Sequence, residues 1–183
     1  MSSLSIEKRR PLKIVGLAGS VRATSTNKGF LNAVIEMRSV TCLSSILTWR
    51  RKVPEVVLQF RRKVDEADAV IFASPEYNYS LPPALKNAID WASRPPNVWA
   101  GKAAAVMSAA GGSGGKRSQY HLRQIGVCLD LHFINKPEVF VNTHEGPLPK
   151  FDTNGDLIDE EIRARVRQLL RSLHAFAIRL SSS

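Results

Sequence analysis

Ala69-Val70-Ile71-Phe72-Ala73-Ser74 is an unbroken apolar run, too short for a buried helix and stopped by Pro75. Without polar alternation, such a run reads as a central strand of a parallel sheet, covered on both faces. Two other stretches share this character: Lys13 to Ala18, which runs into Gly19, and Ala103 to Ser108, which runs into Ala110-Gly111-Gly112-Ser113-Gly114-Gly115. Helical spacing fills the intervals. Phe30, Leu31, Val34 and Ile35 mark a helix over 26–37, with Ser25 or Thr26 as its cap. Val56, Val57, Phe60 and Val64 mark a second after Pro54, and Leu85, Ala88, Ile89 and Trp91 a third after Pro82-Pro83. A fourth carries Leu122, Ile125 and Leu129, and a terminal helix carries Ile158, Ile162, Val166, Leu169, Leu170, Leu173 and Phe176. Arg38 to Arg51 favours a strand by composition, although neither alternation nor helical period is clean there. His132 to Val141 supplies a last strand, interrupted by Pro137. Strands alternating with helices predict an α/β chain, with a parallel sheet, right-handed crossovers and helices on both faces.

In such sheets ligands lie outside the carboxyl ends of the strands. Three loops follow the three confident strands: Gly19 to Asn27, Pro75 to Ser80, and Gly111 to Arg117. The first offers free backbone N–H groups, the hydroxyls of Ser20 and Ser25, the Arg22 guanidinium and Asn27 at the start of a helix, which together suit a phosphate. Taken alone, such a loop is more often a helix cap than a ligand site. The familiar nucleotide patterns fail. Gly16-x-x-Gly19 lacks the spacing of a dinucleotide fingerprint, and Gly115-Lys116-Arg117 lacks the Ser or Thr that an ATP-binding loop places after its Lys. A single-phosphate ligand with a large planar head fits better. The glycines of the third loop allow a flat ring to approach the backbone, and Tyr77 or Tyr79 can pack beside it.

The formal net charge of +10 raises the question of nucleic acid, but it is concentrated: residues 1–66 carry +8 and residues 67–183 only +2. Arg50-Arg51-Lys52 and Arg61-Arg62-Lys63 are its densest parts, with no aromatic platform beside them, so a solvated helix face is the expectation and nucleic acid is not. Cys42 and Cys128 form no metal-type spacing, and His121, His132, His144 and His174 show none either, so no metal is expected. Trp91 and Trp99 read as core or subunit-interface residues. Met1 to Pro11 has no apolar signal core, and no stretch is long enough for a membrane span. A flexible lead at 1–12, one domain at 13–181 and a cytoplasmic location follow as expectations.

Read together, Gly19-Ser20-x-Arg22-x-x-Ser25-x-Asn27, then Ser74-Pro75-Glu76-Tyr77-Asn78-Tyr79-Ser80 with Leu85-Lys86-Asn87-Ala88-x-Asp90-Trp91, then Gly111-Gly112-x-Gly114-Gly115 resemble the NADPH-dependent FMN reductase family, and most of all its plant-type NAD(P)H:quinone reductases. The likeness covers about 13–36 and 65–180 and stops over 37–53. It implies a flavodoxin-like three-layer sandwich with strand order 2-1-3-4-5, its second strand falling in the unmatched stretch. It also implies bound FMN, NADPH or NADH as donor, a quinone or related acceptor (flavin, azo dye, metal oxyanion), ping-pong turnover and a homodimer or homotetramer. The resemblance assigns phosphate binding to Ser20, Arg22, Ser25 and Asn27, and flavin contacts to Pro75, Glu76, Tyr77, Asn78, Gly111, Gly112 and Gly114. No catalytic acid or base is implied, because the chemistry resides at flavin N5. The alternative is a flavodoxin-like FMN-binding or regulatory protein whose altered 37–53 segment has cost it reductase activity.

Overall fold

A computed structural model describes residues 11–20, 22–36, 40–43 and 53–182. Six strands and five helices alternate along them: β1 (Ile14–Ala18), α1 (Thr26–Glu36), β2 (Val40–Leu43), α2 (Glu55–Asp65), β3 (Ala69–Ala73), α3 (Pro83–Ser93), β4 (Ala103–Ala110), α4 (Lys116–Leu129), β5 (His132–Phe133), β6 (Val139–Asn142) and α5 (Glu160–Leu180). The strands form one parallel sheet in the order β2-β1-β3-β4-β5, with β6 also on β4. That is the expected 2-1-3-4-5 order. Its fifth position is shared by two short strands, because the chain leaves β4 after Phe133, passes Pro137 and rejoins at Val139. The doubtful second strand exists: Ile14 to Leu17 pair in register with Val40 to Leu43. The rest of that stretch, with Arg50-Arg51-Lys52, lies outside the described residues, as do residues 1–10 of the expected lead.

Alternate residues of the sheet feed two cores, as a strand's two-residue period requires. Ile14, Ala69, Ile71, Ala73, Ala103, Ala105 and Met107 pack with α1 and α5. Val15, Leu17, Val70, Phe72, Ala104 and Val106 face the opposite way, toward α2, α3 and α4. Trp99 is fully buried in the second core, its centroid 6.1 Å from Phe60 and 5.9 Å from Phe72, and its indole N–H donates to Ile89 O at 3.0 Å. It is a core residue. Arg61, part of the basic stretch, donates to Trp91 O at 2.7 Å and Pro96 O at 2.8 Å, which ties α2 to the end of α3. Ile158 does not belong to the terminal helix as its spacing suggested. Asp159 Oδ1 accepts from Ile162 N at 2.9 Å, caps α5 one residue later, and leaves Ile158 exposed.

A hairpin bridged at Phe151 and Leu157 docks on the N-terminal half of α1. The contact is backbone to backbone: a Cβ on Gly29 would stand 1.8 Å from Gly155 O, and one on Gly155 would stand 2.6 Å from Thr24 O. Gly29→Ala therefore forces the hairpin away from the first loop. Overpacking of this kind costs about 1–3 kcal/mol, and for a chain of this size each kcal/mol is worth about 2–4 °C in melting temperature. Thermal unfolding followed by circular dichroism is expected to show that loss for Gly29→Ala.

Candidate functional site

The three loops meet at the carboxyl ends of β1, β3 and β4. Gly19 N donates to Ala73 O at 2.9 Å, and a Cβ on Gly19 would touch Leu85, Pro75 and Pro82 at 3.2–3.4 Å, so the first loop lies directly against the second. Ser20, Ser25 and Asn27 are buried at 7%, 7% and 2% exposure, while Arg22 is exposed. Ser25 Oγ accepts from Asn27 N at 3.2 Å and caps α1; Ser20 Oγ accepts from Arg22 N at 3.3 Å. Both hydroxyls are thus acceptors within the loop and keep an O–H to donate. Among the described residues the backbone N–H groups of Ser20, Ser25 and Thr26 have no acceptor, and the Arg22 guanidinium has no anionic partner. Donors and a cation at the positive end of a helix are the partners of a phosphate.

Asn27 is placed differently from its neighbours. Its Nδ2 donates to Ala109 O at 2.8 Å and its Oδ1 accepts from Ala109 N at 3.0 Å. The pairing has a plain cause. Ser74 N reaches Met107 O at 3.1 Å as the last bond between the third strand and the fourth, after which the chain turns away into the second loop. Ala109, two residues on, presents its N–H and C=O to the same side with no strand there, and the Asn27 amide takes the strand's place. The side chain couples the first loop to β4, just ahead of the glycine loop.

In the second loop Tyr77 and Ser80 exchange backbone bonds, N to O, at 2.8 and 2.9 Å around Asn78 (φ 47°) and Tyr79 (φ 68°). Two successive positive φ values define a type I′ turn, costly at a tyrosine. Arg117 stacks 3.9 Å above the Tyr79 ring and donates from Nη1 to Glu76 Oε1 at 2.8 Å. Glu76 Oε2 accepts from Ser113 Oγ at 2.9 Å and from Arg117 N at 3.1 Å. The carboxylate therefore caps α4, whose own cap residue is Gly115, and binds the second loop to the third. Burial pushes the Glu76 carboxyl up, but the bonds from Arg117 and Ser113 outweigh it and hold the group below its ordinary value of 4.5.

The third loop is closed on one side and open on the other. Gly112, Gly114 and Gly115 have φ of 57°, 67° and 85°. A Cβ on Gly115 would lie 2.6 Å from the Ser108 Cβ, whereas one on Gly112 would meet nothing within 4 Å. Ser108 Oγ donates to Gly114 O at 2.6 Å and accepts from Gln119 Nε2 at 2.7 Å; Ser74 Oγ lies 2.6 Å from Ser118 Oγ. Pro75 is buried, and Asn78 and Tyr77 are exposed. Ser74, Ser108, Ser118, Gln119 and Arg117 were not singled out from the sequence. A serine ending an apolar strand was the available signal for the first two. Among the described residues no three His, Cys, Asp or Glu groups could hold a metal, and no helix is long and apolar enough to cross a membrane.

A parallel 2-1-3-4-5 sheet with a donor-lined loop after its first strand and two close loops after its third and fourth is the architecture of a flavodoxin-like protein. The chain belongs to the NADPH-dependent FMN reductase family, whose pattern matches residues 12–146. It is 55% identical to an NAD(P)H:quinone oxidoreductase of Solanum tuberosum, over 92% of this chain and 94% of the relative. It is 49% identical to an NADPH:quinone oxidoreductase of Arabidopsis thaliana, over 92% and 93% of the two chains. Among solved structures it resembles the flavoenzyme NAD(P)H:(acceptor) oxidoreductase FerB of Paracoccus denitrificans, with a TM-score of 0.75, 25% identity, and coverage of 90% of this chain and 98% of that one.

Two substitutions test the geometry. Asn27→Ala leaves the Ala109 N–H and C=O without their partner, at a cost of about 1–3 kcal/mol for each buried group, and hydrogen exchange at the Ala109 amide should accelerate with the loss of stability. For Glu76→Gln the effect depends on pH. A carboxyl held below its unfolded value contributes stability above that value and loses it as pH falls through the folded one. The gap between wild type and Glu76→Gln in urea unfolding should be full at pH 7 and shrink as pH drops below 4.5.

Proposed function

We propose that this protein is an FMN-dependent NAD(P)H oxidoreductase that reduces quinone-type acceptors, built as one FMN-binding unit over residues 13–181. The observation that carries the reading is the first loop, where uncommitted N–H groups, two hydroxyls and the Arg22 guanidinium converge at the N-terminus of α1. Family membership and the quinone oxidoreductases it resembles agree with it. Bound FMN would supply the redox chemistry, taking a hydride from NAD(P)H and passing two electrons to the acceptor.

The chain's residues have distinct tasks in this reading. Ser20, Arg22, Ser25 and the amides around them hold the phosphate dianion. Asn27 holds no ligand atom through its Oδ1, which Ala109 occupies; it fixes the distance from the phosphate loop to the glycine loop. Pro75, Tyr77, Asn78, Gly111, Gly112 and Gly114 present backbone and ring surface to the planar head, and open space at Gly112 admits it closely. Glu76 keeps the two loops at a fixed separation and offers no free carboxylate for proton transfer. Donor and acceptor would use the same open side in turn, which is ping-pong order. Exposed Tyr77, Tyr79, Tyr120 and Val127 support a homodimer or homotetramer, and a cytoplasmic enzyme would meet its nicotinamide donor there.

Purified protein mixed with FMN is expected to show the flavin absorbance band and to consume NADPH when a quinone is added. Arg22→Ala should weaken FMN binding by about 10-fold to 100-fold, the worth of one charge-assisted hydrogen-bonded contact. Protein that takes up no FMN would overturn the reading. Stoichiometric FMN binding without NADPH oxidation would favour a binding protein instead.

A further inference from the structure

The segment after β6 returns across the third loop and carries a histidine with it. Thr143 N donates to Ala110 O at 3.0 Å, Asn142 Oδ1 accepts from His144 N at 3.0 Å, and Lys150 Nζ donates to Asn142 O at 2.9 Å. These bonds hold the backbone at and just before His144. A Cβ on Gly111 would stand 3.0 Å from His144 Cδ2 and 3.2 Å from Nε2, so the imidazole rests against the Gly111 Cα. Gly111 opens the glycine loop. Its lack of a side chain is what lets the ring lie there.

Several charged and hydroxyl groups of the second and third loops are committed to one another. Glu76 and Arg117 bind each other, and Ser113 binds Glu76. The His121 Nδ1 is 2.9 Å from Ser80 Oγ, and His132 pairs with Ala103 at the far end of β4, away from the loops. His144 is exposed, and its ring nitrogens have no hydrogen-bond partner among the described residues. Its imidazole is in contact with solvent and lies beside the glycine loop.

We propose that His144 is the proton donor to the acceptor in the second half of the reaction. The assignment rests on the FMN reading above. A quinone that receives a hydride gains two electrons and one proton, and becomes a hydroquinone monoanion. One further proton completes the neutral hydroquinone. A protonated His144 beside Gly111 gives its Nε2 proton to the phenolate oxygen, becomes neutral, and is recharged from water because the ring is exposed. NAD(P)H is the reductant, the quinone is the oxidant, and the second proton comes ultimately from solvent. Hydrogen bonding from the same N–H orients the carbonyl before transfer.

Two acceptors separate this step from the rest. Ferricyanide takes electrons without a proton, whereas a benzoquinone needs one. His144→Ala and His144→Gln, loaded with FMN, are expected to lower the ratio of quinone turnover to ferricyanide turnover at least tenfold. Gln, which can donate a hydrogen bond but not a proton, should keep the quinone KM nearer wild type than Ala while kcat stays low. Independently of turnover, hydroquinone added to the FMN-loaded protein should shift the ring-proton resonance absent from the spectrum of His144→Ala. An unchanged turnover ratio, a Gln variant with wild-type kcat, or an unmoved resonance would each overturn the assignment. Those results would come from protein that binds FMN and reduces ferricyanide, and so would leave the FMN reading intact. Failure of wild-type protein to take up FMN would instead sink the reading beneath it.

Discussion

The Asn27 side chain does for β4 what a neighbouring strand would do, and the geometry of the ligand end depends on it. A parallel sheet leaves its longest central strand projecting beyond its neighbours wherever they turn away into loops. β4 extends to Ala110 while β3 ends at Ala73, opposite Met107, so Ala109 has backbone groups with no ladder partner on that side. An unpaired buried amide and carbonyl are expensive. An asparagine carries both complementary groups in one plane, and Asn27 reaches Ala109 across 82 residues of sequence. The first turn of α1 is thereby bound to the strand that launches the glycine loop. The distance between a phosphate at one and a ring at the other is then set by a covalently rigid amide.

The remaining loops are joined by the same economy of parts. Glu76 caps a helix whose own cap residue is a glycine without a side chain to offer, and the cap comes from a different loop, so the second and third loops cannot separate without exposing the N-terminus of α4. Arg117 completes the arrangement by pairing with Glu76 and covering Tyr79, a residue in the left-handed region that would otherwise have little to hold it. Tyr79 is 66% exposed, so this contact rather than core burial keeps the turn in place. The Arg117–Glu76 pair thus links the strained turn of the second loop to the third loop.

The sheet was legible because its central strands are continuous apolar runs, and a strand buried on both faces has no other way to appear in sequence. Loop positions were legible for a related reason: Pro75 and the glycines end those runs abruptly. The fifth strand was harder, since Pro137 marks a break without saying that the chain rejoins the same partner. The end of α5 was misjudged at Ile158 because apolar spacing continued one turn beyond the Asp159 cap, and the cap prevails. Within the site, the sequence located Ser20, Arg22, Ser25 and Asn27 together but could not separate their work. Residue type and spacing show that Asn27 can hydrogen-bond. Only the position of β3 relative to β4 shows that its amide is already engaged. His144 was invisible for the same reason, since its significance lies in contact with Gly111 across 33 positions of chain.

A cleft lined by backbone amides and glycines suits a cofactor that performs its own electron chemistry, but it leaves the proton balance open. Hydride transfer to a quinone creates a negative oxygen, and an anion taken out of bulk water is unfavourable unless charge or a proton arrives with it. Under the proposed reading Arg22 stands at the phosphate end and would be matched by the phosphate. Arg117 is neutralised by Glu76. Under the proposed reading the charge of the product is met from the rim, and the segment from Asn142 to Lys150 beside the glycine loop places His144 where it could deliver a proton and recover it from water.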